Sequence, residues 1–304
     1  MRRGHQGGVV PLLPRSGLVL GVATLAGLMM FLWPLLVRVP TTGAQVQPPF
    51  LFLALLPVVI VVVLAELSEG GMDSRALAVL GVLSAVNAVL RGVSAGVAGL
   101  ELVFFLLILA GRVFGPGFGF VLGCTSLFAS ALLTGGVGPW LPYQMLTAAW
   151  VGLGAGLLPG RRSGRLRGRA EIALLVAYGV VAAYGFGLLM NMSSWPYAMG
   201  IALPGHEGGL SFVPGDPLTE NLHRFLIYTL LTSTGGWDTG RAITNSVALL
   251  LLGPAVLATL RRARRRVRVV RVSTGAGPDR PRPSTGAGDT EGVLSGQRSR
   301  SGFR

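Results

Sequence analysis

The chain has 304 residues, of which 51% are hydrophobic and only 12% are charged. Soluble domains carry about 25% charged residues, so this composition argues against an ordinary soluble protein. The net charge of +14 comes from arginine alone, because the sequence contains no lysine. This excludes a P-loop ATPase and a lysine Schiff base with pyridoxal phosphate. Any uphill transport by such a chain would draw its energy from a partner or an ion gradient.

Long apolar runs follow one another along the chain, and most charged residues lie between or beyond them. Runs of this length can cross about 30 Å of hydrocarbon. They predict an all-α integral membrane protein of about eight transmembrane helices. The runs cover residues 17–37, 50–67, 76–90, 99–113, 117–134, 141–158, 170–190 and 239–260.

Arginine clusters beside these runs predict the orientation of the chain. They lie at residues 2–15, 161–169 and 261–271, and basic residues favour the cytoplasmic side of a membrane. Six crossings from the first cluster lead to the second, so both clusters lie inside and both termini are expected to be cytoplasmic. The segment 191–237 is then an external loop. Within it, residues 221–237 are expected to lie in the interface or to form a bent lead-in to the last helix.

The predicted organisation has four parts. Residues 1–15 form a cytoplasmic N-terminus, 16–68 two transmembrane helices, 74–262 a six-helix membrane core, and 263–304 a basic cytoplasmic tail. The first apolar run is longer than the apolar part of a signal peptide, so it is predicted to be retained. The tail is rich in Gly, Ser, Pro and Arg and is predicted to be disordered. Cys124 is the only cysteine, which excludes an internal disulfide and a thiolate metal site.

A short motif raises the possibility of catalysis. Residues 92–96 match the pattern G-x-S-x-G around Ser94, which in hydrolases presents a nucleophile between a strand and a helix. Here it would join two membrane helices. An intramembrane serine protease needs a histidine facing the serine, but His5, His206 and His223 all fall in predicted loops or termini. We therefore expect no enzyme activity, and the protease is kept as an alternative.

Charged and aromatic residues gather at the predicted external ends of the helices. An ionisable residue at such a place is costly unless it is paired, faces a cavity or extends to the interface. Rings and amides in the external turns form a pocket wall or anchor the helices at the membrane surface. The candidate substrate-binding residues are Arg91, Glu101, Trp140, Tyr143, Gln144, Asn191 and Trp195.

The third apolar run has small residues at helical spacing, Gly81 with Ala85 and Ser84 with Ala88. Such a stripe allows another helix to approach closely. The approaching helix belongs either to a docking partner or to the same bundle, and the sequence leaves both open.

Glycines recur from residue 115 to residue 123 and again at 152 and 156. Their spacing is similar to that of a phosphate-binding loop, but no strand–turn–helix unit surrounds them. Pairs four residues apart in apolar helices are typical of close helix contacts. We therefore predict packing seams at 119–123 and 152–156.

Several stretches resemble a known family. They are residues 111–116 (GRVFGP), 138–146 (GPWLPYQML), the glycine-rich 152–160, and the segment 238–266 with a Gly-Arg-Ala-x-x-Asn start followed by arginines. Together, over about residues 75–265, they resemble the substrate-specific (S) components of energy-coupling factor (ECF) transporters, of actinobacterial type.

The resemblance implies a six-helix core with cytoplasmic termini in the cell membrane. It also implies a vitamin or micronutrient pocket near the external face, with a cobalamin-like ligand among the candidates. The partners would be a transmembrane coupling subunit and two ATPase subunits, without a cofactor or nucleic acid. In this family an Ala-x-x-x-Ala stripe on the first core helix docks the coupling subunit. Here Gly81 and Ala85, or Ser84 and Ala88, would take that role.

One further alternative is a solitary secondary transporter or channel. An inverted internal repeat would favour it, and the sequence shows no such repeat.

Overall fold

The computed structural model describes residues 14–36, 48–68, 74–94, 100–160, 166–197, 209–213 and 215–273. Within these ranges the chain forms helices and turns and contains no strand, which confirms the all-α prediction. The chain divides into two compact units, Met1–Val267 and Arg268–Arg304. The second is described only as far as residue 273. The tail is expected to begin at residue 263, but the helix Gly253–Ser273 extends past that point, and the rest of that prediction lies outside the described residues.

The helices alternate with short turns, several of them set by glycine or proline. Gly115 (φ 119°) separates α5 from α6, and Pro116 begins α6, where a missing N–H costs nothing. Gly135 ends α6 in the left-handed conformation. The helices are α1 (Pro14–Phe31), α2 (Trp33–Leu36), α3 (Pro48–Ser68), α4 (Ser74–Ser94), α5 (Val103–Phe114), α6 (Pro116–Thr134), α7 (Leu141–Leu157), α8 (Arg169–Ser194), a 3₁₀ turn (Trp195–Tyr197), α9 (Leu218–Thr229), a π-helix (Leu230–Asp238), α10 (Thr239–Leu251) and α11 (Gly253–Ser273).

Helix α5 lies at the centre of the bundle. Every residue from Val103 to Val113 is buried, because α6, α7, α8 and α10 all pack around it. A helix that is apolar on all sides is expected in such a position. The residues that begin and end α5 are therefore held by neighbouring helices on every side.

Glycines bring α5, α6 and α7 into direct backbone contact. A Cβ atom at Gly119 would collide with the carbonyl oxygen of Gly152, and one at Gly152 with that of Gly119. A Cβ atom at Gly111 would also meet Gly152. Gly123 lies against the backbone of α7, and Gly156 against the start of α6. The predicted packing seams at 119–123 and 152–156 are confirmed.

The N-terminal helices α1 and α3 pack on each other and on α7. The Trp150 indole donates a hydrogen bond to the Thr24 hydroxyl at 3.2 Å. The ring of Phe31 lies 5.0 Å from that of Tyr143 and 5.6 Å from that of Trp150. These contacts place α1 against α7, while the outer face of α4 stays exposed at Gly81, Val82 and Ala85.

Helix length and composition confirm a membrane protein. Among the described residues, α4, α6 and α8 are long and apolar enough to cross a bilayer. The run Leu218–Leu251 and the segment Gly253–Arg265 would add a fourth span if they count as one. Shorter apolar helices occupy Gly17–Phe31, Ala54–Ala65 and α5. The number of eight crossings and the orientation of the termini stay predictions.

The last part of the bundle differs from the prediction. Residues 221–237 are helical, and α9, the π-helix and α10 follow one another without interruption, so this segment leads into α10 without the expected bend; its position in the interface stays a prediction. The bend, of 67°, lies between Leu218–Leu251 and Gly253–Arg265, so 239–260 is not one straight helix. The physical reason is Pro254, which has no N–H to donate and restricts the residue before it.

Candidate functional site

Charged and polar side chains from five helices meet at one end of the bundle, where α4 and α6 end and α5, α7 and α10 begin. Neighbouring helices in the bundle run in alternating directions, so the ends of some lie beside the beginnings of others. The residues that form what we call the Glu101 network are Arg91, Glu101, Ser130, Gln144, Asp238 and Arg241.

Glu101 lies at the centre of this network, two residues before α5. Its Oε2 atom is 2.7 Å from Nε of Arg241, and its Oε1 atom is 3.8 Å from Nε of Arg91. The Asn245 amide donates to the main-chain carbonyl of Glu101 at 2.7 Å. The carboxylate and the backbone that carries it are thus both held by α10.

Arg241 is fixed on several sides. Its Nη1 atom lies 3.0 Å from Oδ1 of Asp238, and Ser233 donates to the other carboxylate oxygen at 2.9 Å. The guanidinium also lies over the rings of Phe186 at 4.8 Å and Phe104 at 5.7 Å, at distances where cation–π attraction contributes. Arg241 is therefore a rigid part of the network.

A glycine on α8 allows Asp238 to occupy its position. A Cβ atom at Gly187 would collide with the Asp238 carboxylate, whereas one at Gly185 would meet nothing within 4 Å. Asn191 lies one helical turn after Gly187, and its Nδ2 atom is buried without a hydrogen-bond partner among the described residues. The Asn191 amide is thus a buried donor, unpaired in the described part of the chain, one helical turn along α8 from Gly187, the glycine that Asp238 packs against.

Arg91 connects the network to α6 and α7. Its Nη1 atom donates to the Ser130 hydroxyl at 3.1 Å, and its Nη2 atom donates to Oε1 of Gln144 at 3.0 Å. Both bonds are charge-assisted, which makes them stronger than bonds between neutral groups. The Arg91 guanidinium therefore lies closer to its neutral partners than to Glu101, and the neutral partners hold it in place.

The contact between α4 and α6 continues as a line of polar bonds below Arg91. Ser84 bonds Thr125 at 2.7 Å, and the Asn87 amide donates to Ser126 at 3.0 Å. Such bonds hold membrane helices together. The line ends at Arg91, so α4 reaches the network with a fixed rotation about its own axis.

The network combines accessible and buried charges. Arg91 and Glu101 keep 18% and 21% of their side-chain surface exposed, whereas Arg241 and Asp238 keep 9% and 2%. Two guanidinium groups face two carboxylates, so the charges balance. Among the described residues, no three His, Cys, Asp or Glu side chains come together as metal ligands. The accessible part suits a polar organic ligand.

A second charged cluster lies at the other end of α5. Nε of Arg112 is 2.8 Å from Oε1 of Glu171, and Nη2 of Arg261 is 2.6 Å from Oε2 of the same carboxylate. We call these three residues the Glu171 cluster. Arg112 is thus a buried ion-pair partner that ties α5 to α8.

The two charged sites are close together for a membrane protein. The helical residues Val103 to Arg112 rise about 14 Å, and the two residues that precede them add at most about 7 Å. The hydrocarbon of a bilayer is about 30 Å thick. At least one of the two sites therefore lies at hydrocarbon depth, where charges must be paired.

Three of the seven predicted binding residues, Arg91, Glu101 and Gln144, meet in the network. Tyr143 points away from it and is buried against Phe31 of α1. Trp195 is fully buried and donates to the Leu210 carbonyl at 2.7 Å. Because their rings are enclosed by other side chains, Tyr143 and Trp195 are packing residues in this structure.

Trp140 is half-exposed and lies one turn before Gln144 on α7. Its indole donates to the Gly136 carbonyl at 3.3 Å, and its ring covers Gly138. It therefore lies at the rim of the network, and among the described residues its side chain makes no bond to the network.

The small residues of α4 fall on two faces. Gly81 and Ala85 are exposed, whereas Ser84 and Ala88 are buried. Because Ser84 bonds Thr125 of α6, the Ser84–Ala88 pair belongs to packing within the bundle. Only the Gly81–Ala85 pair is open to a partner.

Sequence reasoning missed Asp238, Arg241 and Asn245. Arg241 lies within an apolar run, and the rule that an ionisable residue at membrane depth is a site candidate would have found it. The side chain of Ser94 is not among those that the structure describes. His223 is exposed on α9, and residues 95–99, His5 and His206 lie outside the described residues.

Comparison with known proteins identifies the family. The model of the ECF transporter, substrate-specific component, matches residues 75–233, just over half of the chain. No curated protein and no solved structure gives a significant match. The matched residues run from α4 into the π-helix, and Arg241 lies outside them. Proteins of this kind are substrate-binding subunits of transporters and not enzymes, and they work with a membrane coupling subunit and ATPases. This chain belongs to the ECF transporter substrate-specific component family.

Proposed function

We propose that the chain binds a vitamin or another micronutrient at the Glu101 network and passes it to an ATP-driven ECF importer. The observation that carries this proposal is the meeting of two partly exposed charges, Arg91 and Glu101, with the Gln144 amide. They come from α4, from the residues just before α5 and from α7, and they rest on the buried Arg241–Asp238 pair. A site whose polar groups are already oriented binds a ligand at a lower entropic cost.

The chemistry of these groups indicates the kind of ligand. Arg91 donates, Glu101 accepts, and Gln144 does both. The Arg91–Glu101 distance of 3.8 Å is the longest ion-pair distance among the described residues, so a ligand can separate this pair at the smallest cost. A ligand that carries both hydrogen-bond donors and acceptors fits. Cobalamin-like molecules with peripheral amides and smaller polar vitamins both meet this requirement.

The arginine pattern supports an external position for the site. Exposed arginines, Arg167, Arg169 and Arg262, surround the opposite end of the bundle, as expected at a cytoplasmic membrane surface. With that end at the headgroups, the short α5 leaves the Glu101 network about 10 Å inside the outer hydrocarbon boundary. The ligand would then enter from outside and bind below the rim formed by Trp140.

The exposed Gly81–Ala85 pair supports a docking role for α4. Small residues allow the backbone of a partner helix to come close, and the neighbouring surface residues Val82, Val86 and Val89 are apolar. Since α1 and α3 pack on the α7 side of the bundle, they leave this face open. We place the coupling subunit there, with two ATPase subunits supplying the energy.

Transport in proteoliposomes tests the binding site. The full chain is reconstituted with its coupling subunit and ATPases, and uptake is measured for a panel of radiolabelled vitamins. Arg91→Gln should weaken binding of the active compound about tenfold, because charge-assisted bonds contribute about 1.5–3 kcal/mol. Arg224→Gln is the matched control, since it breaks the partly exposed pair with Asp216 outside the network.

Two results contradict the proposal. Equal losses in the Arg91 and Arg224 variants would place the binding site elsewhere. Uptake that runs on an ion gradient and needs no ATPase would favour the solitary secondary transporter.

Co-purification tests the docking face. Gly81→Leu should reduce the amount of coupling subunit that co-purifies with the chain, because the larger side chain keeps the partner helix away. Gly185→Leu is the control, since a Cβ atom at either glycine meets nothing within 4 Å. Unchanged co-purification of the Gly81 variant would exclude this face.

A further inference from the structure

The Glu171 cluster carries an excess positive charge in a dry place. Two guanidinium groups share one carboxylate that is only 3% exposed. Arg261 Nη2 contacts both carboxylate oxygens, at 2.7 and 2.6 Å, and Arg112 Nε contacts one of them at 2.8 Å. The acceptor capacity of Glu171 is thus largely used, while one positive charge has no counterion within the cluster.

Arg112 retains a donor that the described residues do not use. Its Nη1 atom donates to the carbonyl oxygens of Leu158 and Pro159, each at 3.0 Å. Its Nη2 atom is buried and has no hydrogen-bond partner in the described part of the chain. Leaving a charged donor unpaired in a buried place costs more than leaving a neutral one. An additional anionic acceptor would remove that cost.

The cluster opens to the membrane surface through Arg261, whose side chain is 41% exposed. Arg169 and Arg262 are exposed beside it along α8 and α11. On α11, Leu257 and Leu260 are buried, so the helix turns an apolar side to the bundle. Cations therefore lie above buried apolar side chains at the end of the bundle. This arrangement is complementary to a phospholipid, whose anionic headgroup lies above apolar tails.

We infer that the Glu171 cluster binds the phosphate of an anionic phospholipid, with Arg261 as its accessible contact and Arg112 as its buried one. Basic sites between membrane helices bind such headgroups, and planar guanidinium groups match phosphate oxygens. Inorganic phosphate offers the same chemistry, so the experiment must separate the two sources. The inference is independent of the ligand that binds at the Glu101 network.

The test uses the purified full chain in nanodiscs of phosphatidylcholine with or without phosphatidylglycerol. Native mass spectrometry counts the phosphatidylglycerol molecules that stay bound, and thermal unfolding gives the melting temperature. Arg261→Gln should weaken retention about fivefold. Arg75→Gln removes an exposed arginine from the first turn of α4, at the same end of the bundle, and should leave retention unchanged. Equal losses in both variants would mean general surface attraction and would overturn the inference.

Glu171→Gln separates lipid binding from a purely structural role. The change raises the local positive charge, so phosphatidylglycerol retention should increase, and the melting temperature should fall in phosphatidylcholine and recover when phosphatidylglycerol is added. A structural role alone would lower the melting temperature equally in both lipids. Inorganic phosphate added to phosphatidylcholine nanodiscs should have no effect, and a recovery equal to that from phosphatidylglycerol would overturn the assignment to lipid.

Discussion

The two charged sites at the ends of α5 use the same side-chain chemistry in different ways. In the Glu171 cluster both arginines contact the carboxylate at 2.8 Å or less, and the carboxylate is almost fully buried. In the Glu101 network one contact is short, at 2.7 Å, and the other is 3.8 Å between partly exposed groups. The first arrangement fixes helices in place. The second leaves one arginine able to exchange its carboxylate for a ligand.

The difference follows from how much positive charge each carboxylate must neutralise. Glu171 faces two arginines, and within the described ranges no second acid forms an ion pair with either of them. Glu101 shares Arg241 with Asp238, and Ser130 and Gln144 accept from Arg91. Because neutral partners hold Arg91, its contact with Glu101 can lengthen at little cost. A binding site for a polar ligand with both donors and acceptors benefits from that arrangement.

The largest expected effect is the loss of the Glu171 carboxylate. Glu171→Ala leaves two arginines without their acid and should lower the free energy of unfolding by about 3–5 kcal/mol. Glu101→Ala should cost about 1–2 kcal/mol, because its carboxylate is partly solvated and the network retains Asp238. Reversible unfolding in mixed micelles measures both. If Glu101→Ala proves the more destabilising, the contrast between the two sites is wrong.

A medium effect is expected from Gly187→Ala. The added methyl group displaces the Asp238 carboxylate, and overpacking of this kind costs about 1–3 kcal/mol. Ligand affinity should fall as well, because Arg241 loses its support. Gly185→Ala, two residues earlier on α8 and with open space around it, should be neutral or stabilising by up to about 1 kcal/mol. Melting temperatures and ligand titrations of the two variants give the comparison, and similar behaviour of both would show that Asp238 tolerates displacement.

The smallest expected effect concerns a single hydroxyl. Ser130→Ala removes one neutral acceptor from Arg91 and should cost about 1 kcal/mol in stability. Arg91 would then lie closer to Glu101, and ligand affinity should decrease slightly. Thr134→Ala is the control, because the Thr134 hydroxyl bonds only its own helix, at the Ser130 carbonyl. A larger loss for the Thr134 variant would indicate that the end of α6, and not Arg91, responds to these changes.

Features set by local composition were predictable from the sequence. Apolar runs predict membrane helices, and the spacing of Gly119 with Gly123 predicts a close helix contact, because both depend on neighbouring residues along one helix. Arg91 and Glu101 were predictable as a pair because charges at helix ends near the membrane need partners. The Pro254 bend also follows a local rule, but the apolar run around Pro254 is long enough to be interpreted as one straight span.

Contacts between distant segments were not predictable. Glu101 and Arg241 are 140 residues apart, and their meeting depends on how α10 packs beside α5. The positions of Tyr143 and Trp195 illustrate the same limit. Both are aromatic residues near helix ends, where a pocket wall and a packing contact look alike in sequence. Only the positions of Phe31 and Leu210 decide between the two.

Helix α4 carries two surfaces with separate partners. One side presents Gly81 and Ala85 to the exterior, and the other holds the polar contacts that end at Arg91. A rotation of this helix within the bundle would alter both surfaces at once. Binding at one surface would then change affinity at the other, and thermodynamic reciprocity requires the two changes to be equal in factor. Because the contacts with α6 fix the rotation of α4, such coupling requires the Ser84–Thr125 and Asn87–Ser126 bonds to change as well.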